Sequence, residues 1–190
     1  DNYGRVKGNN IFRMLQLQAK SFIKEEKLLL LSLRTIVCHV PFVACVLFWQ
    51  IYATEVIHIE TKYLAFFLLV FMVLLMLGNY AVSIFTRKIS NLGTSIAGII
   101  ISILGFVLLF VLPSFPGFVM GAGLIEFGFG VEQSATSTWM CDCIESETRS
   151  AYSSIFSTIQ SVAGFIIMNL LGVLTEWNGV NAAWCVAAVA

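Results

Sequence analysis

The sequence predicts an all-α polytopic membrane protein, and three observations carry that expectation. The chain is 58% hydrophobic and 12% charged, with a mean hydropathy of +0.89. A soluble domain is nearer half apolar and about a quarter charged. The apolar residues gather into runs of about 20, the length a helix needs to cross a hydrocarbon core of roughly 30 Å. The Lys and Arg residues fall largely outside those runs.

The first 27 residues are the most polar part. Asp1 to Asn10 is a flexible lead-in with two glycines and three asparagines. Ile11 to Lys27 places Ile11, Leu15, Phe22 and Ile23 near one helical face, with Arg13, Gln16, Lys20, Lys24 and Lys27 elsewhere. It is too charged to span, and a basic amphipathic helix lying on the membrane surface is expected. No signal peptide is read here, because the basic region is long before any apolar core appears.

The first span is expected over about 28–53. Arg34 lies inside it and can snorkel toward the surface. Pro41 would kink the helix, a distortion that neighbouring helices tolerate. Trp49 and Tyr52 fall where an interfacial belt belongs. The second span covers about 63–85 and stays apolar until Asn79, Tyr80 and Ser83. A basic turn with Arg87 and Lys88 leads to a third span, 92–112. A turn holding Pro113 and Pro116 leads to a fourth, 117–140.

That fourth span carries two carboxylates, Glu126 and Glu132. A carboxylate at bilayer depth costs a few kcal/mol even on lenient insertion scales, so it belongs in a bundle interior or a wet cavity. An acidic loop with Asp142, Glu147 and Arg149 follows, then a fifth span over 151–175. Ser153, Ser157, Ser161, Gly164 and Met168 form a small-residue stripe on it, the pattern that lets helices approach closely. The 11 residues of 180–190 would cover only about half the core at 1.5 Å each. That sixth span is incomplete, and with a start at Asp1 the chain is expected to be a fragment.

Charge placement sets the expected orientation. Six of the eleven Lys and Arg residues precede the first span, two lie in the 86–91 turn and one in the 141–150 loop. Only Lys62 lies on the other side. The positive-inside rule then makes the amino-terminal side cytoplasmic, in a multi-pass protein expected in the plasma (inner) membrane. No basic patch with interleaved aromatics suggests nucleic acid. The five cysteines form no disulfide framework, and Cys141-Asp142-Cys143 lacks the second Cys/His pair of a zinc site. No hydrolase, kinase or redox constellation is present, so neither an enzyme nor a cofactor or metal site is expected.

Two segments carry a family resemblance. Gly78-Asn79-Tyr80-Ala81-Val82-Ser83-Ile84-Phe85-Thr86-Arg87-Lys88-Ile89-Ser90 is similar to the basic turn between the second and third helices of a major facilitator superfamily half, without its aspartate. Asp142-Cys143-Ile144-Glu145-Ser146-Glu147-Thr148-Arg149 resembles that family's D-x-x-P-x-E-x-R loop, with Glu145 in place of the proline. With the span spacing, the resemblance covers about 28–190. It implies half of a 12-helix transporter bundle, the carboxy-terminal six-helix half. Its partners would be the bilayer, a preceding half, a small-molecule substrate and protons or another coupling ion.

The candidate functional residues follow. Glu126 lies roughly 21 Å along the helix from Met140, near midplane. Burial there ties its protonation to the arrival of water, which makes it the candidate for proton coupling or substrate contact. Gln133 shares its face. Since first and fourth helices line the cavity in this family, the resemblance adds His39 and Gln50. Glu132, about 12 Å from Met140, matches the depth of Arg34, about 9 Å above Leu28, so a buried ion pair is geometrically possible. The resemblance further implies a latch in which Asp142 and Glu147 pair with Arg87 and Lys88 across the cytoplasmic face, with Arg149 in the same loop. The expected function is secondary active transport of a small solute by alternating access, proton-coupled. Export is favoured over uptake because the lining reads as apolar and aromatic. A non-transporting scaffold or receptor that keeps the fold is the alternative.

Overall fold

The computed structural model describes residues 26–144 and 149–179, and within them all regular structure is helical. The helices are α1, Glu26–Ile51; α2, Leu64–Phe85; α3, Asn91–Val111; α4, Phe115–Cys143; and α5, Arg149–Asn178. Of the expected surface helix over 11–27 only Glu26 and Lys27 are described, as the start of α1, and the sixth span over 180–190 lies outside the described residues. Four helical segments are long and apolar enough to cross a membrane: Ser32–Val56, Thr61–Phe85, Asn91–Val111 and Arg149–Trp177. That is the make-up of a membrane protein.

The predicted fourth span is not among them. It corresponds to α4, whose 29 residues reach about 43 Å, but glycines, two glutamates and hydroxyl residues dilute its apolar content. Position explains the composition. α4 packs against α3, α2 and α1, with Gly121, Ile125, Gly128, Val131 and Ala135 among its buried residues. A helix enclosed by other helices does not have to match lipid.

Serine caps start two of the helices. Ser90 accepts a hydrogen bond from Gly93 N at 3.1 Å and opens α3. Ser114 accepts from Gly117 N ahead of α4, with Pro116 in the first turn, where its missing N–H costs nothing. α1 runs unbroken through Pro41 and ends in a π-helical turn, Tyr52–Val56.

α3 and α4 meet backbone to backbone. A Cβ on Gly98 would lie 2.6 Å from the Gly128 carbonyl oxygen, and one on Gly128 would lie 2.6 Å from that of Gly98. Gly105 and Gly121 repeat the arrangement one heptad away, at 2.6 and 2.9 Å. Two glycines seven apart on each helix therefore interlock in antiparallel register. Gly78 and Gly130 give α2 the same close access, against the backbone of Phe127 and of Leu75 respectively. Without a hydrophobic driving force in lipid, such dispersion contacts are the main source of helix association.

Side chains fill the two ends differently. At one end Trp49, Tyr52, Phe67, Phe71, Leu109 and Phe118 form the main apolar cluster. Trp49 meets Phe71 edge to face at 5.4 Å between centroids, and Tyr52 donates to the Leu109 carbonyl at 2.9 Å. Both residues were expected in an interfacial belt; instead they are buried, at 5% and 3% exposure, because the polar handle of Tyr52 finds a partner inside the bundle. At the other end Met140, Ile144 and Phe156 pack together. The outer faces show Phe66, Leu69 and Met76 on α2, Leu104 and Phe110 on α3, and Phe165 and Leu170 on α5, as lipid-facing or partner-facing surfaces do.

A polar cluster and cavity on helix α4

Four side chains from three helices meet at the end of the bundle opposite Trp49. Arg34 comes from α1, Ser95 from α3, and Glu132 and Thr136 from α4. Arg34 Nη2 lies 3.8 Å from Glu132 Oε1, with the Glu132 side chain 6% exposed. Two hydroxyls join them. Arg34 Nη1 donates to Thr136 Oγ1 at 3.2 Å, and Thr136 Oγ1 donates to Glu132 Oε1 at 2.7 Å. Arg34 Nη2 donates to Ser95 Oγ, which donates to Glu132 Oε1 at 3.4 Å. Each hydroxyl thus accepts from the guanidinium and donates to the carboxylate. The Trp139 ring lies 5.7 Å from the Arg34 guanidinium carbon and adds a cation–π contact. A buried ion pair is sustained only when its remaining hydrogen-bonding capacity is met, and Ser95 and Thr136 supply much of that here.

The matching depths of Arg34 and Glu132 point to their proximity; neither hydroxyl was singled out in the sequence. The available signals were the adjacent hydroxyls Thr94 and Ser95 early in the third span and a threonine four residues after a glutamate, on the same helical face.

A cavity of about 350 Å³ opens between α1, α4 and α5 beside this cluster. Thr35 borders it from α1; Glu132 and Gln133 from α4; Ser153, Ser157 and Gln160 from α5. Nine of its twelve lining residues are polar, and Phe129, Met140 and Phe156 supply the apolar walls. This space is more polar than the apolar, aromatic lining expected from the spans, whereas Phe42, Val43, Phe165 and Met168 give its neighbour an apolar wall. A second space of about 470 Å³ continues along α1 and α5 past Ser157, Ser161, Gly164 and Met168. The serine stripe of α5 was read as a close-packing face. It borders these spaces instead, and Gly172 on the same helix has nothing within 4 Å of a built Cβ. Close approach is concentrated on the glycines of α4.

Glu126 lies six residues, or about 9 Å, from Glu132 along α4. It is buried at 7% exposure and makes no hydrogen bond or ion pair with the other described residues. On a 100° wheel it shares a face with Phe129 and Gln133. Phe129 stacks on Phe42 of α1 at 3.6 Å between centroids, whereas Gln133 is exposed in the cavity. Of the other lining candidates, Gln50 is exposed and borders neither space. The His39 side chain lies outside the described residues.

The loop candidates take different partners. Asp142 Oδ2 accepts from Asn91 Nδ2 at 2.7 Å, not from Arg87 or Lys88, which form no ion pair among the described residues. Asn91 opens α3 and lies closer than the basic turn. Arg149 Nη2 donates to the Cys141 carbonyl at 3.1 Å, placing a cation at the carboxyl end of α4 where the helix dipole favours it. Glu147 lies outside the described residues. Cys38, Cys141 and Cys143 are free thiols, and no group of three or more His, Cys, Asp or Glu that could hold a metal occurs among the described residues.

Comparison of the chain with family models, with curated proteins and with solved structures finds no match.

Proposed function

We propose that this chain is the carboxy-terminal half of a major facilitator type secondary transporter, moving a small solute by alternating access with proton coupling. The observation that carries the proposal is the polar cavity between α1, α4 and α5, set inside membrane-length helices and bordered by Glu132 of a buried polar cluster. Carboxylates held at this depth face cavities or partners and mark ion or solute pathways.

Within this proposal the two acids divide the work. Glu132 is held by Arg34, Ser95 and Thr136 and organises the cavity wall. Glu126 has no such partner among the described residues and serves as the group that takes up and releases a proton as water reaches it from either side. The amino-terminal end of α1 is then cytoplasmic. Export remains the favoured direction on the apolar wall of the neighbouring space, where Phe42, Val43, Phe165 and Met168 suit an amphipathic solute.

The test is solute movement into proteoliposomes carrying the full-length protein under an imposed pH gradient. Ethidium, glucose and glycine serve as probes of amphipathic, hydroxylated and zwitterionic solutes. At least one is expected to accumulate only with the gradient, and Glu126→Gln is expected to abolish the gradient-driven part while leaving the amount of inserted protein unchanged. No gradient-driven accumulation of any probe, or an unchanged gradient response in Glu126→Gln, would contradict the proposal and favour the scaffold alternative.

A further inference from the structure

We infer that the cavity between α1, α4 and α5 binds a small, neutral, multiply hydroxylated solute. As a statement about transport this rests on the proposed function; as a statement about binding it stands on the site.

Charge comes first. Glu132 is the one ionisable residue lining the cavity among the described residues, and its carboxylate is already met by Arg34 at 3.8 Å and by two hydroxyl donors. A cation or anion entering would lose water and find no unmatched counter-charge, and burying an unpaired charge is costly. A neutral solute keeps the balance.

Hydrogen-bonding capacity comes second. The side chains of Gln133, Ser153, Ser157 and Gln160 line the cavity and make no hydrogen bond with the other described residues. Each hydroxyl both donates and accepts, and each amide offers two donors and an acceptor. The complementary ligand likewise carries several groups that both donate and accept, as alcohols do. Phe129 and Phe156 supply apolar wall for its carbon skeleton. The space of about 350 Å³ is at the small end of ligand pockets, which run from about 300 to 1,000 Å³.

The test uses tritiated sorbitol and full-length protein in lipid nanodiscs, with gluconate and N-methylglucamine as competitors. These carry a similar hydroxylated chain with a carboxylate or an ammonium added. Saturable sorbitol binding is expected, with both charged analogues competing at least about tenfold more weakly. Gln160→Ala and Gln133→Ala should each weaken sorbitol about fivefold to tenfold, as loss of a neutral hydrogen bond does. Ser161→Ala, which borders only the neighbouring space, should leave it unchanged. Absence of saturable binding, an analogue that competes as well as sorbitol, or an unaltered affinity in both glutamine variants would overturn the inference. Sorbitol binding without gradient-driven solute movement would leave the site standing and remove the transport proposal; movement of another probe without sorbitol binding would do the reverse.

Discussion

Helix α4 meets α3 along glycines and meets α1 and α5 along hydroxyls, amides and a carboxylate. On the first side Gly98 and Gly128, and Gly105 and Gly121, bring two backbones together with no room for a side chain. On the second side the helices touch through side chains such as Phe42 and Phe129, and a polar space lies between them. One helix can do both because its glycine face and its Gln133 face are different sectors of the same cylinder. The contrast shows how a membrane bundle can hold an open polar face beside a rigid seam. Tight backbone contact with α2 and α3 fixes α4, and the opposite face is left free to line a cavity.

The predictions that break this contrast begin at the seam. Gly128→Leu would force a side chain into the Gly98 carbonyl, where a Cβ alone already lies at 2.6 Å. Overpacking costs about 1–3 kcal/mol where side chains can yield, and backbone yields less, so a loss of about 3 kcal/mol or more is expected. It would appear as the disappearance of monodisperse protein on size exclusion. Gly172→Leu, with open space around it, should purify normally.

The polar cluster comes next. Arg34→Met strands Glu132 and Glu132→Leu strands Arg34, and breaking a buried pair from one side costs about 3–5 kcal/mol. Both single variants should melt lower than the parent, and the double variant should recover most of the loss, since apolar replacement of a whole pair is often neutral. A double variant that melts as low as the sum of the singles would show that the two charges do not act as a pair.

Glu126→Gln should do the opposite of these: little change in melting temperature, with loss of gradient-driven transport. The smallest effect belongs to the exposed rim. Asn91→Ala removes the hydrogen bond to Asp142, and its loss should cost about 1 kcal/mol or less, as solvent-exposed polar contacts do. Arg87→Ala should not change the melting temperature measurably.

Much of this plan was legible in the residues. The spans expected at 63–85, 92–112 and 151–175 lie against helices Leu64–Phe85, Asn91–Val111 and Arg149–Asn178, because charge and proline interrupt the apolar runs cleanly. Depth counting brought Arg34 and Glu132 to one level, since the rise of a helix is constant. What was not legible is which face meets which neighbour. In a helix that is apolar all round, lipid-facing and protein-facing positions carry the same residue types, so Trp49 and Tyr52 read as belt residues although they lie in the core. Small residues read alike whether they pack or line a space. The Ser153–Ser157–Ser161 stripe and the Gly121–Gly128 pair look equivalent in sequence, yet one borders cavities and the other closes a seam. Register between helices is a tertiary property, and single-helix periodicity does not contain it.

The difference between the two faces of α4 can be measured directly by water accessibility. In a cysteine-free background, Gln133→Cys on the cavity side and Ser102→Cys on the seam are exposed in turn to a membrane-impermeant maleimide. Gln133 borders the cavity, whereas Ser102 lies where a Cβ on Gly128 would meet it. The Gln133 variant is expected to label readily and the Ser102 variant to stay unlabelled until the protein is denatured. Equal labelling of both positions, or protection of Gln133, would contradict a helix with one sealed face and one open to water.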